Sequence, residues 1–491
     1  MKLPAESNRE CVCSCPSKPE LRKNDELKVL FAFHHTGALR SFEAVVRHLC
    51  SKGHRVTVVY GEKKDPLFRQ APIAIDGALK ACQVELDKFT CGPMLVRKSW
   101  LLLAKARELL NYANHIRPEH PSPEQAKRYR PAFGRPLRKA LKRRAFNRFL
   151  ASEQARKILR RIEPFIPPDR AVTRFLQAER PEILVASPFI FFYSEEVEYV
   201  KAARALGIPT IVAVLSWDNL TSKGTFHLVP DWTFVWNASL AREATMLHDI
   251  PHDKIFATGA PVFDFWFEMK PLLDRSTLCA KIEIDPHRPF ILYLCSSAFI
   301  AGDETLFVRE LAEVLAEHPR TRNANLVVRP HPLNASIWKG FKARKVTIWP
   351  ERVAWVDVPE VKQEYYDTLF HSAALMGINT SAFLEAAILG KPCVTVVAER
   401  YRAKQTELGH FAHLLNANFL EVASSLPEAA SIFGAILDGR DAKREQRDRF
   451  VHEFIRPWGI DRPASNIMAA AIEAIADHQR PDDWPAHIGQ N

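Results

Sequence analysis

The stretch from residue 374 to residue 397 limits what this chain can fold into more than any other part of the sequence. It contains a short apolar run, three residues of helix-capping type, a helical segment closed by a glycine and a proline, and a β-branched run. This order predicts a βαβ unit. The capping residues are Asn379, Thr380 and Ser381. Because a helix start beyond the carboxyl end of a strand favours phosphate, we expect these three residues at a pyrophosphate site.

Glu385 lies four residues after Ser381, which places it on the same helix face, one turn further in. A capping box needs the acid three residues after the cap, so the spacing favours a carboxylate that faces a pocket. Such a carboxylate can accept hydrogen bonds from both hydroxyls of a ribose. The alternative interpretation is a solvated helix glutamate beside an ordinary cap.

The composition is that of a globular protein with two to four domains, because the chain has 491 residues and 47% of them are hydrophobic. A net charge of +11 favours an anionic partner, which could be a nucleotide, an acidic glycan, a phospholipid surface or nucleic acid. The cysteines form no C-x-x-C pair, which argues against a disulfide framework or a zinc site. The chain has no apolar run of transmembrane length and no signal-like start, so we expect a cytoplasmic protein.

Strand and helix patterns alternate along most of the chain. The predicted strands are 27–33, 55–60, 182–187, 209–215, 232–236, 255–258, 290–295, 326–328, 374–378 and 394–397. We interpret residues 26–272 as a first domain, with a basic helical insertion at about 98–165, and residues 273–455 as a second domain. We interpret residues 1–25 as a disordered tail, which includes Cys11, Cys13 and Cys15. We interpret residues 456–491 as a last helix and tail.

Three motifs resemble those of one superfamily. They are the capping residues followed by Glu385 and Gly390-Lys391-Pro392, the segment Arg329-Pro330-His331-Pro332 at a strand end, and the linker Gly259-Ala260-Pro261-Val262-Phe263-Asp264. Together they resemble GT-B glycosyltransferases and their relatives, the glycerophosphate transferases of teichoic acid synthesis and the non-hydrolysing sugar-nucleotide 2-epimerases. The resemblance implies an α/β fold of two Rossmann-like domains that face a cleft, with a C-terminal helix that crosses back.

The resemblance also implies that the second domain binds a nucleotide-diphosphate donor. We expect Arg329 and His331 to project toward the same crevice as Ser381, where they can neutralise a leaving diphosphate. No Asp-x-Asp motif follows a strand, so we expect neither a metal nor another cofactor. Lys391 is a donor candidate that could equally be a solvated turn lysine. The predicted donor-binding residues are Ser296, Ser297, Arg329, His331, Asn379, Thr380, Ser381, Glu385 and Lys391.

The general base is expected in the first domain, because the second holds the donor. His34 and His35 follow the first strand, and Asp218 lies in a polar loop, residues 216–224, after a later one. Strand alternation sends the two histidines to opposite sides without deciding which faces the cleft. We favour His35, with Asp218 as its orienting partner or as the base itself. The best-known subgroups of the superfamily carry a Gly-His pair where this chain has Gly37-Ala38.

The insertion is predicted to contain two long helices separated by a proline-rich loop. The second, around residues 138–161, places ten lysines and arginines around apolar positions, which suits an anionic membrane surface. The alternative is a helix packed on the first domain with a solvated basic face. No aromatic-interleaved nucleic-acid signature accompanies the charge, so a nucleic-acid partner is not expected.

These observations favour a metal-independent glycosyltransferase that moves a sugar from a nucleotide-diphosphate donor to a surface polysaccharide or glycolipid acceptor. A glycerophosphate transferase or a sugar-nucleotide 2-epimerase of the same fold is the first alternative. The epimerase is less favoured because residues 398–402 depart from the Thr-Glu-Arg-Pro-Glu run of that family. A non-catalytic scaffold at a membrane surface is the second alternative.

Overall fold

The computed structural model describes residues 26–34, 36–60, 79–83, 94–191, 194–350, 353 and 359–479. The predicted tail at 1–25, the last twelve residues and His35 lie outside the described residues.

The first half of the chain builds a parallel sheet of seven strands. The strands are β1 (Lys28–Phe33), β2 (Arg55–Tyr60), β3 (Leu79–Gln83), β4 (Ile183–Ser187), β5 (Thr210–Ala213), β6 (Trp232–Val235) and β7 (Ile255–Ala257), in the order β3-β2-β1-β4-β5-β6-β7. The helices are α1 (Glu43–Ser51), α2 (Met94–His115), α3 (Arg135–Ala140), α4 (Arg144–Ala151), α5 (Glu153–Ile162), α6 (Arg170–Glu179), α7 (Glu196–Ala205), α8 (Asn219–Ser222), α9 (Ala238–His248) and α10 (Asp264–Glu268).

The second half builds a parallel sheet of six strands. The strands are β8 (Phe290–Leu294), β9 (Asn325–Arg329), β10 (Val346–Ile348), β11 (Ala374–Met376), β12 (Cys393–Val396) and β13 (Leu420–Ala423), in the order β10-β9-β8-β11-β12-β13. The helices are α11 (Arg275–Lys281), α12 (Thr305–Glu317), α13 (Pro359–His371), α14 (Ala382–Ile388), α15 (Phe411–Asn416), α16 (Leu426–Leu437) and α17 (Arg444–Phe450), followed by α18 (Ala464–Ala476).

Both sheets change their direction of strand addition once, between β1 and β4 and between β8 and β11. Crossover helices leave opposite faces of a sheet at such a point, so a crevice opens at the carboxyl ends of the two strands. His34 follows β1, and the start of α14 follows β11. The topology therefore places the predicted histidine and the predicted capping residues at the switch points of their sheets.

The last helix returns to the first domain, as predicted. Met468 and Ile472 of α18 are buried in one apolar cluster with Val45 and Val46 of α1. At the junction, the buried carboxylate of Asp264 accepts hydrogen bonds from Arg456 Nη2 at 2.8 Å and from the backbone N–H groups of Ala464 and Ser465 at 3.0 and 2.7 Å. Asp264 therefore ties the linker after the first sheet to the start of α18.

The prediction of a second long helix in the insertion is wrong. After α2, which has 22 residues, the chain forms the three short helices α3, α4 and α5. Ser152 separates α4 from α5, because its backbone is extended and its hydroxyl accepts a hydrogen bond from the Ala155 N–H at 3.3 Å. Among the helices that the structure describes, none combines the length and the apolar character needed to cross a membrane.

Candidate functional site

A cleft of about 430 Å³ lies between the carboxyl ends of the two sheets. Its lining includes residues from both domains and from the insertion. Six of the predicted site residues line it, and these are Asp218, Ser297, His331, Asn379, Thr380 and Ser381. The structure therefore brings the polar loop after β5 opposite the start of α14, although the two are far apart in sequence.

The start of α14 is organised differently from the prediction. Thr380 rather than Ser381 provides the capping oxygen, since Thr380 Oγ1 accepts a hydrogen bond from the Ala382 N–H at 3.3 Å. Ser381 makes no side-chain cap and is exposed in the cleft. Asn379 is buried, and its side-chain amide donates to the Lys404 carbonyl at 2.9 Å. Ser381 is thus the residue of the three whose side chain is most accessible to a ligand.

His331 is held as a neutral imidazole at the cleft. Its Nδ1 accepts a hydrogen bond from the Leu333 N–H at 3.1 Å, so the ring proton is on Nε2. Burial lowers the pKa of His331 below its ordinary value. The ring can therefore donate a hydrogen bond, but it does not supply the positive charge that the sequence suggested.

Ser297 and Ser296 have different environments. Ser297 lines the cleft. Ser296 is buried; its backbone N–H donates to Glu304 at 2.9 Å, and its hydroxyl accepts a hydrogen bond from the Asn379 N–H at 3.5 Å. Ser296 therefore connects the end of β8 to the turn before α14 and supports the position of that turn.

Arg329 and Glu385 belong to a cluster next to the residues that line the cleft. Arg329 Nη1 lies 3.1 Å from Glu364, and its guanidinium lies 4.8 Å from the centre of the Tyr365 ring. The Tyr365 hydroxyl donates to Glu385 at 2.6 Å. The expectation that Arg329 and His331 share one crevice is wrong, because β9 ends at Arg329 and strand alternation does not continue to His331.

Glu385 is poised between its two protonation states near neutral pH. Burial raises the pKa of this carboxyl to about 7, although the Tyr365 hydroxyl and the charge of Arg329 act in the opposite direction. The charge of Arg40, a residue of the first domain, also lowers the pKa of Glu385.

Lys391 is not brought to the cleft. It precedes β12, and its ammonium donates to the Ser372 carbonyl, which precedes β11, at 3.1 Å. Both positions are at the amino ends of the strands, whereas the cleft is at the carboxyl ends. Burial lowers the pKa of Lys391 to about 8.

His34 forms a buried pair with a carboxylate that the sequence analysis did not identify. His34 Nδ1 lies 3.1 Å from Oε1 of Glu196, which is in the first turn of α7. Burial opposes ionisation of Glu196, but His34 and the Ser194 hydroxyl together hold the pKa of Glu196 below its ordinary value. A carboxylate at this distance helps to orient an imidazole.

The His34 ring connects to the cleft through Phe191. The two rings are 5.1 Å apart, and the ammonium of Lys223, a residue of the cleft lining, lies 5.5 Å from the Phe191 ring centre. The same ammonium lies 3.5 Å from Asp218. The Phe191 side chain therefore lies between His34 and Lys223 of the polar loop after β5.

Asp218 does not orient His34. Its carboxylate accepts a hydrogen bond from the Ser222 hydroxyl at 2.8 Å. Burial opposes ionisation, but Lys223 and His410 hold the pKa of Asp218 well below its usual range. A carboxylate with such a low pKa is a weak base, so Asp218 is better suited to fixing the position of Lys223.

The insertion also reaches the second domain beside the cleft. The Gly409 N–H donates to the Ser122 hydroxyl at 3.1 Å, and a β-carbon on Gly409 would come within 2.5 Å of Pro121. Arg128 of the insertion and Lys404 of the second domain both lie over the ring of Phe299. No local sequence pattern predicts these contacts, because each of them joins segments separated by more than a hundred residues.

No protein-family model matches the chain, and no curated protein matches it. The solved structure of a putative UDP-N-acetylglucosamine 2-epimerase from Listeria monocytogenes is similar, with a TM-score of 0.50, 12% identity, and coverage of 93% of this chain and 99% of that one. The UDP-GlcNAc 2-epimerase from Neisseria meningitidis, solved with UDP-GlcNAc, gives a TM-score of 0.50 and 12% identity over 91% of this chain and 100% of that one. At such identities the likeness shows the fold alone. The chain therefore has the GT-B fold, with two Rossmann-like domains that face a cleft.

Proposed function

We propose that the protein is a GT-B glycosyltransferase that needs no metal and transfers a sugar from a nucleotide-diphosphate donor to a hydroxyl of a glycan or lipid-linked acceptor. The observation that carries this proposal is the His34–Glu196 pair at the end of β1, in the domain opposite the start of α14. Transfer to an acceptor needs a base on the side of the cleft away from the donor. An imidazole held beside a carboxylate is suited to taking a proton from an acceptor hydroxyl.

In the proposed reaction, the acceptor hydroxyl reaches past Phe191 and Lys223, and the His34 imidazole takes its proton. The hydroxyl oxygen then forms a bond to the anomeric carbon of the donor sugar, and the bond from that carbon to the diphosphate oxygen breaks. The leaving diphosphate carries away the electron pair. The Ser381 hydroxyl and the Nε2–H of His331 are the hydrogen-bond donors proposed to receive it. Glu385 is proposed to accept the ribose hydroxyls of the donor.

A sugar-nucleotide 2-epimerase is the second candidate, because the two solved structures described above are titled as such enzymes, one of them as putative. An epimerase would convert its nucleotide sugar without any acceptor, whereas a transferase would leave the nucleotide sugar unconverted when no acceptor is present. Incubation of the protein with nucleotide sugars alone, followed by product analysis, separates the two. Accumulation of an epimer would overturn the proposed transfer while keeping the donor site.

Nucleotide binding should be visible as thermal stabilisation. A nucleotide sugar present at a hundredfold excess over its dissociation constant should add about 2.7 kcal/mol to the free energy of unfolding. We expect this from at least one member of a panel of UDP, CDP and GDP sugars, measured without divalent cations. If no member raises the melting temperature, the non-catalytic scaffold becomes the better interpretation.

The affinity for the donor should rise with pH around neutrality. Ribose hydroxyls donate to the ionised form of Glu385, whose pKa is about 7, so below that pH the donor must displace a proton. We expect binding about tenfold weaker at about pH 6 than at about pH 8, measured by calorimetry, and no such dependence in Glu385→Gln.

Glu304→Gln is the matched control for this measurement. Burial also raises the pKa of Glu304 to about 7, but its carboxylate is engaged by the Tyr293 hydroxyl and the Ser296 N–H. This variant should keep the pH dependence of the wild type. A pH dependence that survives in Glu385→Gln would remove Glu385 from the ribose site.

A further inference from the structure

The three short helices that replace the predicted long one expose apolar side chains beside many cations. Phe149 of α4 is 55% exposed, Ile158 of α5 is 56% exposed, and Phe165, just after α5, is 86% exposed. Ile158 and Arg161 are three residues apart in α5 and therefore lie on one face of that helix. Helices α4 and α5 pack together through Leu150 and Leu159. We call these three side chains and the exposed cations around them the basic apolar surface.

The exposed charge of this surface is predominantly positive. Between residues 135 and 165, which the structure describes completely, the only exposed acidic residue is Glu153, and Lys157 pairs with it at 2.6 Å. Arg156 and Arg160 do not contribute, since both are bound to Asp249 at 2.7 and 3.1 Å. The exposed cations are Arg135, Arg138, Lys139, Lys142, Arg143, Arg144, Arg148, Lys157 and Arg161.

An anionic lipid bilayer matches both properties. Phenylalanine and isoleucine side chains can enter the boundary between headgroups and acyl chains, while lysines and arginines bind the anionic headgroups around them. We propose that the basic apolar surface docks the protein on an anionic bilayer, with Phe149, Ile158 and Phe165 inserted. This narrows the predicted membrane contact to the exposed faces of α3 to α5.

Docking would also orient the cleft. The insertion that carries the basic apolar surface also carries Gln125 and Arg128, which line the cleft. In a docked molecule, the insertion therefore contacts the lipid and also forms one wall of the cleft. Presentation of the cleft to a lipid-anchored acceptor rests on the proposed function, whereas docking itself does not.

Sedimentation with vesicles tests the docking. The full chain should bind vesicles of phosphatidylcholine with about 30% phosphatidylglycerol and bind pure phosphatidylcholine weakly. Replacing Arg138, Lys142, Arg143 and Arg148 with glutamine should weaken binding on the order of a hundredfold or more. The triple variant Phe149→Ser, Ile158→Ser and Phe165→Ser should weaken binding at physiological ionic strength, where charge alone is screened.

Matched variants elsewhere on the molecule provide the controls. Leu272, Leu306 and Val422 are also exposed, and serine at these three positions should leave vesicle binding unchanged. The same holds for glutamine at the exposed residues Lys339, Lys342, Arg344 and Arg444. The docking would be overturned if the triple serine variant bound vesicles as well as the wild type does. It would also be overturned if the control variants lost vesicle binding to the same extent as the triple serine variant.

Light scattering separates a bilayer from a protein partner. If the wild type is a dimer without lipid and the triple serine variant is a monomer, the basic apolar surface joins two copies of the chain and the docking is overturned. Nucleotide binding in solution should be the same in every variant. A loss of docking can therefore be distinguished from a failure of the proposed function.

Discussion

Replacing His34 with glutamine should lower turnover about 10²- to 10⁴-fold, the usual contribution of a general base. Glutamine is close to histidine in size and can still donate to Glu196, so the buried environment at the end of β1 stays filled. It cannot accept the proton of an acceptor hydroxyl. The measurement is turnover of the wild type and the variant with saturating donor at the same pH.

Glu196→Gln should lower turnover by a smaller factor, because Glu196 orients the imidazole rather than taking the proton itself. The matched control is His54→Gln, which should keep wild-type turnover. His54 Nε2 also pairs with a glutamate, Glu473, at 3.0 Å, but it precedes β2 and therefore lies at the amino end of its strand. Wild-type turnover in His34→Gln would assign the base to another group, with His35 as the next candidate.

Replacing Asp264 with alanine should lower the free energy of unfolding by about 3–5 kcal/mol, the cost of leaving a buried charge without its partner. The residue left behind is Arg456, which is buried and now donates to Asp264 through Nε at 3.2 Å and Nη2 at 2.8 Å. The backbone N–H groups of Ala464 and Ser465 would lose the same acceptor. Urea unfolding measures the loss.

The control for this prediction is an exposed ion pair. Asp285 and Arg288 are 3.1 Å apart, with side chains 42% and 45% exposed, so Asp285→Ala should cost less than about 1 kcal/mol. The double variant Asp264→Ala with Arg456→Met should recover part of the loss, because it removes the unpaired charge. Equal stability of Asp264→Ala and Asp285→Ala would show that the junction between the linker and α18 is held by apolar packing alone.

Ten of the thirteen strands that the structure describes could be predicted from the sequence, because their signals are local, whereas β3, β10 and β13 are not among the predicted strands. Residues 55–60 were predicted as a strand and form β2 with the same bounds, and the apolar run at 290–295 contains β8. A buried parallel strand is a short apolar run with breakers on both sides, and tertiary contacts do not alter that pattern. The return of α18 was implied by the resemblance and follows physically from its apolar face.

The candidate site was less predictable, because its pairs join distant segments. His34 and Glu196 are 162 positions apart in the chain, so strand alternation could not show which histidine has a carboxylate partner. In the sequence, Arg156 belongs to a continuous basic face. In the structure, its charge is balanced by Asp249, which is 93 residues away in the chain. Similarly, nothing local to Arg329 indicates that Glu364 already balances its charge.

The contact between Ser122 and Gly409 has a consequence for the timing of a catalytic cycle. Rossmann-like domains that share a cleft open and close by rotating about the segments that connect them, and here the insertion adds a further connection beside the cleft. A rotation wide enough for a bulky acceptor must break this hydrogen bond or carry the insertion along with the second domain. Small acceptors can enter without that step, so the size of the acceptor would determine whether chemistry or opening limits the rate.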